Sequence, residues 1–169
     1  MYKKLCLFVI FFCGYAIAQS SEMAFSNVIT VENAQKSVLI TRAKMFLESK
    51  KYDIKVEGDA VKGKGKFVVE YPSVVKGKTE KGEVYFNIAV MCKDGRYKYE
   101  INDFKHLGIN GRASGGSLNL SDPECGKAQI ALSSWNKIKS DTNENVKKLI
   151  DELQKNMIEI SNNPDKDNW

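Results

Sequence analysis

From Glu83 to Phe104 the chain reads EVYFNIAVMCKDGRYKYEINDF, with apolar and polar positions in alternation. Val84, Phe86, Ile88, Val90 and Cys92 interleave with Tyr85, Asn87, Ala89 and Met91, the period-two pattern of a strand with one buried face. Asp94-Gly95 is a type I′ turn signal and is expected to supply φ > 0 at both positions. A two-residue loop there sets Lys93 opposite Arg96, Cys92 opposite Tyr97, Val90 opposite Tyr99 and Ile88 opposite Ile101. Met91/Lys98, Ala89/Glu100 and Asn87/Asn102 then share the other face. Pattern and turn chemistry agree on a β-hairpin.

The flanking segments fill out the layer. Phe25 to Val31 alternates as a first strand, and Asn33 is the expected N-cap of a helix over residues 34–50. Leu39, Ala43, Phe46 and Leu47 share one face of that helix, with Lys36, Arg42, Lys44 and Glu48 mostly elsewhere. Tyr52, Ile54 and Val56 alternate next, and Glu57-Gly58-Asp59 turns the chain into a strand over Val61 to Tyr71. Gly63 and Gly65 predict a bulge or a frayed start to that strand. Pro72 ends it, and Lys76 to Gly82 is a polar connection into the hairpin.

Leu107 to Gly126 is glycine-rich and irregular, which predicts either a functional loop or a poorly ordered one. Ser133 or Ser134 is the expected cap of a last helix. There Trp135, Ile138, Val146, Leu149, Ile150, Leu153, Met157 and Ile160 recur at three- and four-residue steps. Asp141-Thr142-Asn143-Glu144 marks either a second helix start or a polar patch in one helix. The fold class is therefore α+β, in the order β-α-β-β-β-β-α, with a curved antiparallel sheet and two helices on one face. A single domain is expected over residues 19–161, with its core at 25–105, the loop at 107–132, the last helix at 133–161 and a flexible tail at 162–169.

The first residues stand apart. Lys3 and Lys4 precede a nearly continuous apolar run from Leu5 to Tyr15, and Ala16-Ile17-Ala18 fits a signal-peptide cleavage site. The run is shorter than the ~20 residues that a membrane-spanning helix needs. Export is expected, with cleavage leaving Gln19 first and the protein free in the periplasm or the medium. Phe11 and Phe12 argue against a lipid-anchored Cys13. Losing two lysines and no acid brings the formal charge from +5 to +3. That weak basicity does not imply nucleic acid. Of four cysteines, Cys92 and Cys125 remain, as one disulfide or as two free thiols.

RAKMFLES at residues 42–49, VKGKGKF at 61–67 and VMCKDGRYKYEINDF at 90–104, followed by a variable loop and a long helix, together carry a resemblance. In that order they resemble exported bacterial domains of unknown function with a TATA-box-binding-protein-like (TBP-like) fold. The resemblance covers roughly residues 25–105 and, loosely, the last helix. It implies a fold and export, and it supplies no catalytic residue.

Candidate chemistry is sparse. Gly58 to Gly65 matches a phosphate-binding loop at its glycines and lysine, but Gly65 stands where a Ser or Thr must reach magnesium and a β-rich segment follows in place of a helix. Nucleotide binding is therefore rejected. His106 is the only histidine, with Asp103 three residues before it, and it is read as an exposed or edge residue. Glu80, Glu83, Glu100 and Asp103 fit solvent-facing positions, and no metal-ligand spacing emerges. No catalytic residue, cofactor or metal is assigned. The favoured reading is a non-catalytic binding module of the cell envelope, with an unidentified envelope protein or ligand as partner. The alternative is a hydrolase around His106, with Ser114, Ser117 or Ser121 as nucleophile.

Overall fold

The computed structural model describes residues 22–159. The expected leader and tail lie outside them. The elements are β1 (Phe25–Thr30), α1 (Lys36–Ser49), β2 (Asp53–Glu57), β3 (Ala60–Pro72), β4 (Thr79–Lys93), β5 (Arg96–Gly108), β6 (Gly116–Ser117) and α2 (Leu132–Glu159). The strands form one open antiparallel sheet in the order β1-β5-β4-β3-β2, and the short β6 pairs with Lys105 and His106 of β5. The expected α+β layer is present.

Alternation in β3, β4 and β5 sends one set of side chains toward the helices. Val61, Val69, Val84, Phe86, Ile88, Val90, Tyr97 and Ile101 are buried there. Leu39, Ala43, Phe46 and Leu47 of α1 meet them, as do Trp135, Ile138, Val146, Leu149, Leu153 and Met157 of α2. The spacing of the α2 set places it on one stripe. Arg42 of α1 is buried too, its Nη1 donating to the Met157 carbonyl at 2.7 Å. A charge-based sorting of α1 had placed that residue elsewhere.

The hairpin register is as expected from Asn87/Asn102 through Lys93/Arg96, and the hairpin extends well past Phe104 to Gly108. The turn differs. Gly95 has φ +73°, whereas Asp94 is not in the left-handed region. Asp94 serves instead as an external cap, its Oδ1 accepting the Lys36 N–H at 2.7 Å. Gly95 N–H donates to the Ala34 carbonyl and Gly95 O accepts from Val31 N–H. The turn is thus shaped by the β1–α1 connection lying against it.

Asn33 is consequently not the cap of α1. It sits at φ 60° in the turn before the helix, and Gln35 holds the N-cap position without a side-chain bond. Gly95→Val is expected to destabilise by about 1 kcal/mol or more, because valine resists φ > 0. Lys93→Ala, at an exposed site, is expected to be nearly neutral. Urea midpoints of the two variants test this, and equal values would contradict the turn assignment.

Gly63 and Gly65 do not mark a bulge, because β3 pairs with β4 without a register break. A Cβ at Gly65 would come within 2.8 Å of both Phe86 Cε2 and Tyr52 Cζ. Phe86 cannot retreat, being stacked on Phe67 at 4.6 Å. The glycine is there to admit the rings. The real irregularity lies between Tyr85 and Asn87 on β4, where Asp103 and Phe104 oppose the single residue Phe86.

The glycine-rich segment is packed against the core. Leu118 and Ile130 are buried, and a Cβ at Gly115 would come within 3.0 Å of Trp135 Cη2. Helix α2 begins at Leu132, so Ser133 and Ser134 lie inside its first turn, and Ser134 Oγ donates to the Pro72 carbonyl at 2.7 Å. It runs on as one helix through Asp141 to Glu144. Buried Thr142 satisfies its hydroxyl on the Ile138 carbonyl at 2.8 Å. Among the described residues, no helix is long and apolar enough to cross a membrane.

Candidate functional site: the open face of the sheet

Both helices cover one face of the sheet, and the other carries the alternate positions. In register, four strands contribute Asp53, Lys64, Asn87 and Asn102 to one row across that face, and Lys55, Lys62, Ala89 and Glu100 to the next. These two rows line a recess of about 520 Å³. Its size falls in the range of small-ligand sites. Ala89 is the short residue of its row and opens the space above it.

Most charges on this face are paired. Glu57 takes both Lys55 and Lys62 at 2.7 Å. Hydrogen bonds from Lys55 and then Lys62 hold its carboxyl down to about 2. Lys98 pairs with Glu100 at 2.5 Å, Lys66 with Glu83 at 2.7 Å, Lys81 with Glu70 at 2.6 Å and Lys105 with Asp103 at 3.0 Å. Among the charges that line the recess, Asp53 and Lys64 are the exception. They are register partners on β2 and β3, yet neither forms an ion pair among the described residues.

Tyr85 is the exposed aromatic on this face, its hydroxyl donating to Glu83 at 2.7 Å. Interleaved acids and bases with one tyrosine do not make the basic, aromatic surface that single-stranded nucleic acid requires.

His106 is not at the surface. It is fully buried, with ring centroids 5.3 Å from Tyr71 and 6.2 Å from Trp135. Its Nδ1 accepts the Gly115 N–H at 3.0 Å, so the neutral ring carries its proton on Nε2. Among the described residues Nε2 has no hydrogen-bond partner, and it rests over Gly82, where a Cβ would meet His106 Cδ2 at 2.9 Å. Burial pushes its pKa down to about 4.

The cause of this placement is the bulge. Two residues opposite Phe86 invert the alternation of β5, turning Phe104 and His106 inward and leaving Asp103 exposed at φ 56°. Asp103 is bonded to Lys105 and to Asn87 Nδ2 at 3.2 Å, not to His106. Ser114 Oγ accepts the Gly108 N–H, Ser117 Oγ accepts the Asn119 N–H, and Ser121 is exposed. The proposed nucleophiles therefore do not converge on the imidazole.

Glu80 is also misplaced by pattern reading. It is nearly buried, accepting from Ser73 Oγ at 2.6 Å and facing Arg112 at 3.5 Å. Cys92 and Cys125 form no disulfide among the described residues, and burial raises the Cys92 thiol to about 11. Among the described residues no group of carboxylates, thiols and histidine could hold a metal ion. The phosphate-loop look-alike ends inside β3, where Lys62 and Lys64 belong to the recess.

The recess rows were only partly visible in sequence. The hairpin gives Asn87/Asn102 and Ala89/Glu100. The Gly58-Asp59 turn could have given Asp53/Lys64 and Lys55/Lys62, since Glu57 pairs with Ala60 across it.

The architecture defines a class first: an open antiparallel sheet with two helices on one face, arranged as in TBP-like proteins. The chain belongs to the family described as a domain of unknown function (DUF4468) with TBP-like fold, whose model matches residues 15–106. Among solved structures it is similar to a TBP-like protein from Parabacteroides distasonis ATCC 8503 at 14% identity, with 79% of this chain and 93% of that one covered and a TM-score of 0.52. It is also similar to a DUF4468 family protein from Bacteroides ovatus ATCC 8483 at 13% identity, with coverages of 87% and 90% and a TM-score of 0.57. At such identities the likeness shows the fold alone. No curated protein matches the chain.

Proposed function

We propose that the chain is a non-catalytic binding module of the cell envelope, exported after cleavage between Ala18 and Gln19, that engages its partner through the open face of the sheet. The supporting observation is the recess over Ala89, with Asp53 and Lys64 left unpaired beside it among the described residues while neighbouring charges are neutralised. The glycine-rich segment is a weaker candidate, since Leu118 and Ile130 are spent on the core. A hydrolase reading loses its base, because His106 is enclosed by Tyr71, Trp135 and Gly115.

The test is capture from envelope extract by the immobilised chain. Ala89→Trp fills the recess from a partly exposed site and is expected to abolish capture. Ser121→Trp, exposed on the glycine-rich segment, is expected to leave it unchanged. Circular dichroism checks that both variants fold. Capture that survives Ala89→Trp and fails with Ser121→Trp would transfer the role to the loop. A hydrolytic activity lost with His106→Gln while the fold persists would displace the module reading altogether.

A further inference from the structure

We propose that the recess binds a zwitterion of amino-acid or dipeptide size, the ligand ammonium on Asp53 and its carboxylate on Lys64; this rests on the open face being the binding surface. Ligands of one sign fit poorly. A polyanion would meet Asp53 and Glu100 along with Lys64, and a polycation would meet Lys64 beside lysines already held by Glu57. A ligand bearing both charges satisfies both free groups at once. Their positions suit it, because register partners on neighbouring strands sit about 5 Å apart.

The rest of the row suits an amide-bearing ligand. Asn102 makes no side-chain bond among the described residues. Asn87 commits its Nδ2 to Asp103 and keeps Oδ1 free to accept. Four strands at about 4.8 Å spacing give a row roughly 14 Å wide. An extended dipeptide, at about 3.4 Å per residue, fits within it with its side chains over Ala89.

The probe is glycyl-glutamine, titrated into the full chain and followed by ¹H–¹⁵N NMR. Shifts are expected at the amides around Asp53, Lys64, Asn87 and Asn102. Acetylating the amino end or amidating the carboxyl end should each weaken binding about tenfold or more. Asp53→Asn should remove the penalty for acetylation, and Lys64→Met the penalty for amidation. Both residues are exposed, so both variants should fold.

A spectrum unmoved by millimolar dipeptide, or equal responses to free and blocked forms, overturns the proposal. The two readings fail separately. If Ala89→Trp abolishes envelope capture while no dipeptide binds, the open face stands and the zwitterion falls. If glycyl-glutamine binds at this row and capture ignores Ala89→Trp, the zwitterion site stands and docking of the envelope partner on this face falls.

Discussion

Replacing Trp135 with alanine is expected to cost about 3–5 kcal/mol, the range for truncating a large buried aromatic. Typical domains are stable by only about 5–15 kcal/mol, so the loss is a large share of the whole. Trp135 is fully buried near the start of α2 and joins three parts of the molecule. Its Nε1–H donates to the Leu120 carbonyl at 3.2 Å, its ring stands nearly perpendicular to that of His106, and Gly115 lies against the indole. The Lys139 ammonium lies 5.5 Å from the ring centroid on the solvent side.

Removing the indole leaves a cavity between helix, sheet and glycine-rich segment. It also removes one of two donors to the Leu120 carbonyl, the other being Lys139 Nζ. Trp135→Ala should therefore lower the urea midpoint sharply and expose residues 109–131 to limited proteolysis. Lys147→Ala, exposed on the same helix, should stay within about 0.5 kcal/mol of the parent. A loss below about 1 kcal/mol for Trp135→Ala would mean that the segment is not anchored by this ring.

Acidification is the second large effect. Burial holds His106 at about 4 in the folded chain, against an ordinary value of about 6.5 in the unfolded one. The unfolded chain therefore takes up the proton first. This contribution to stability is complete above about pH 6.5 and is lost as pH falls from there toward 4. The loss by pH 4 is about 3 kcal/mol, since stability falls by about 1.36 kcal/mol for each pH step between the two values, less near its ends. Protonating Nδ1 also turns an acceptor of the Gly115 N–H into a second donor facing it.

His106→Gln is the informative variant. Glutamine keeps a polar, non-titrating side chain, so its unfolding free energy should be nearly flat between pH 6.5 and 4.5 whatever its absolute stability. Below that range the surface carboxylates titrate in both proteins, with Glu57 resisting until about 2. Parallel slopes for parent and variant across pH 6.5 to 4.5 would show that His106 is not the group responsible.

The hairpin shows how far local chemistry reaches. Its register from Asn87/Asn102 to Lys93/Arg96 follows from alternation and a two-residue turn, because both act over neighbouring residues. The stripe from Trp135 to Met157 was legible for the same reason, a helical period in one segment. The resemblance carried by residues 42–49, 61–67 and 90–104 likewise led to the family and its fold.

What lay outside local reach was decided by distant partners. Asp94, read as a turn residue, is drawn to the Lys36 N–H, 58 positions away in sequence. Gly65, read as a weakness in a strand, makes room for rings contributed by Tyr52 and Phe86.

His106 and the recess mark the boundary most clearly. By itself the sequence determined the strands, the helices, their α+β class and the inward set of the hairpin, since each rests on a period repeated within one segment. It did not determine which way His106 faces, because that depends on one extra residue opposite Phe86 that reverses the alternation of β5. Nor did it determine that Asp53, Lys64, Asn87 and Asn102 share a row. That row requires the β3–β4 register across the connection at residues 73–78, which no two-residue turn specifies. Tertiary packing settled both, because a bulge and a cross-sheet register are chosen by how the inward rings fit against the helices, not by the residues beside them in the chain.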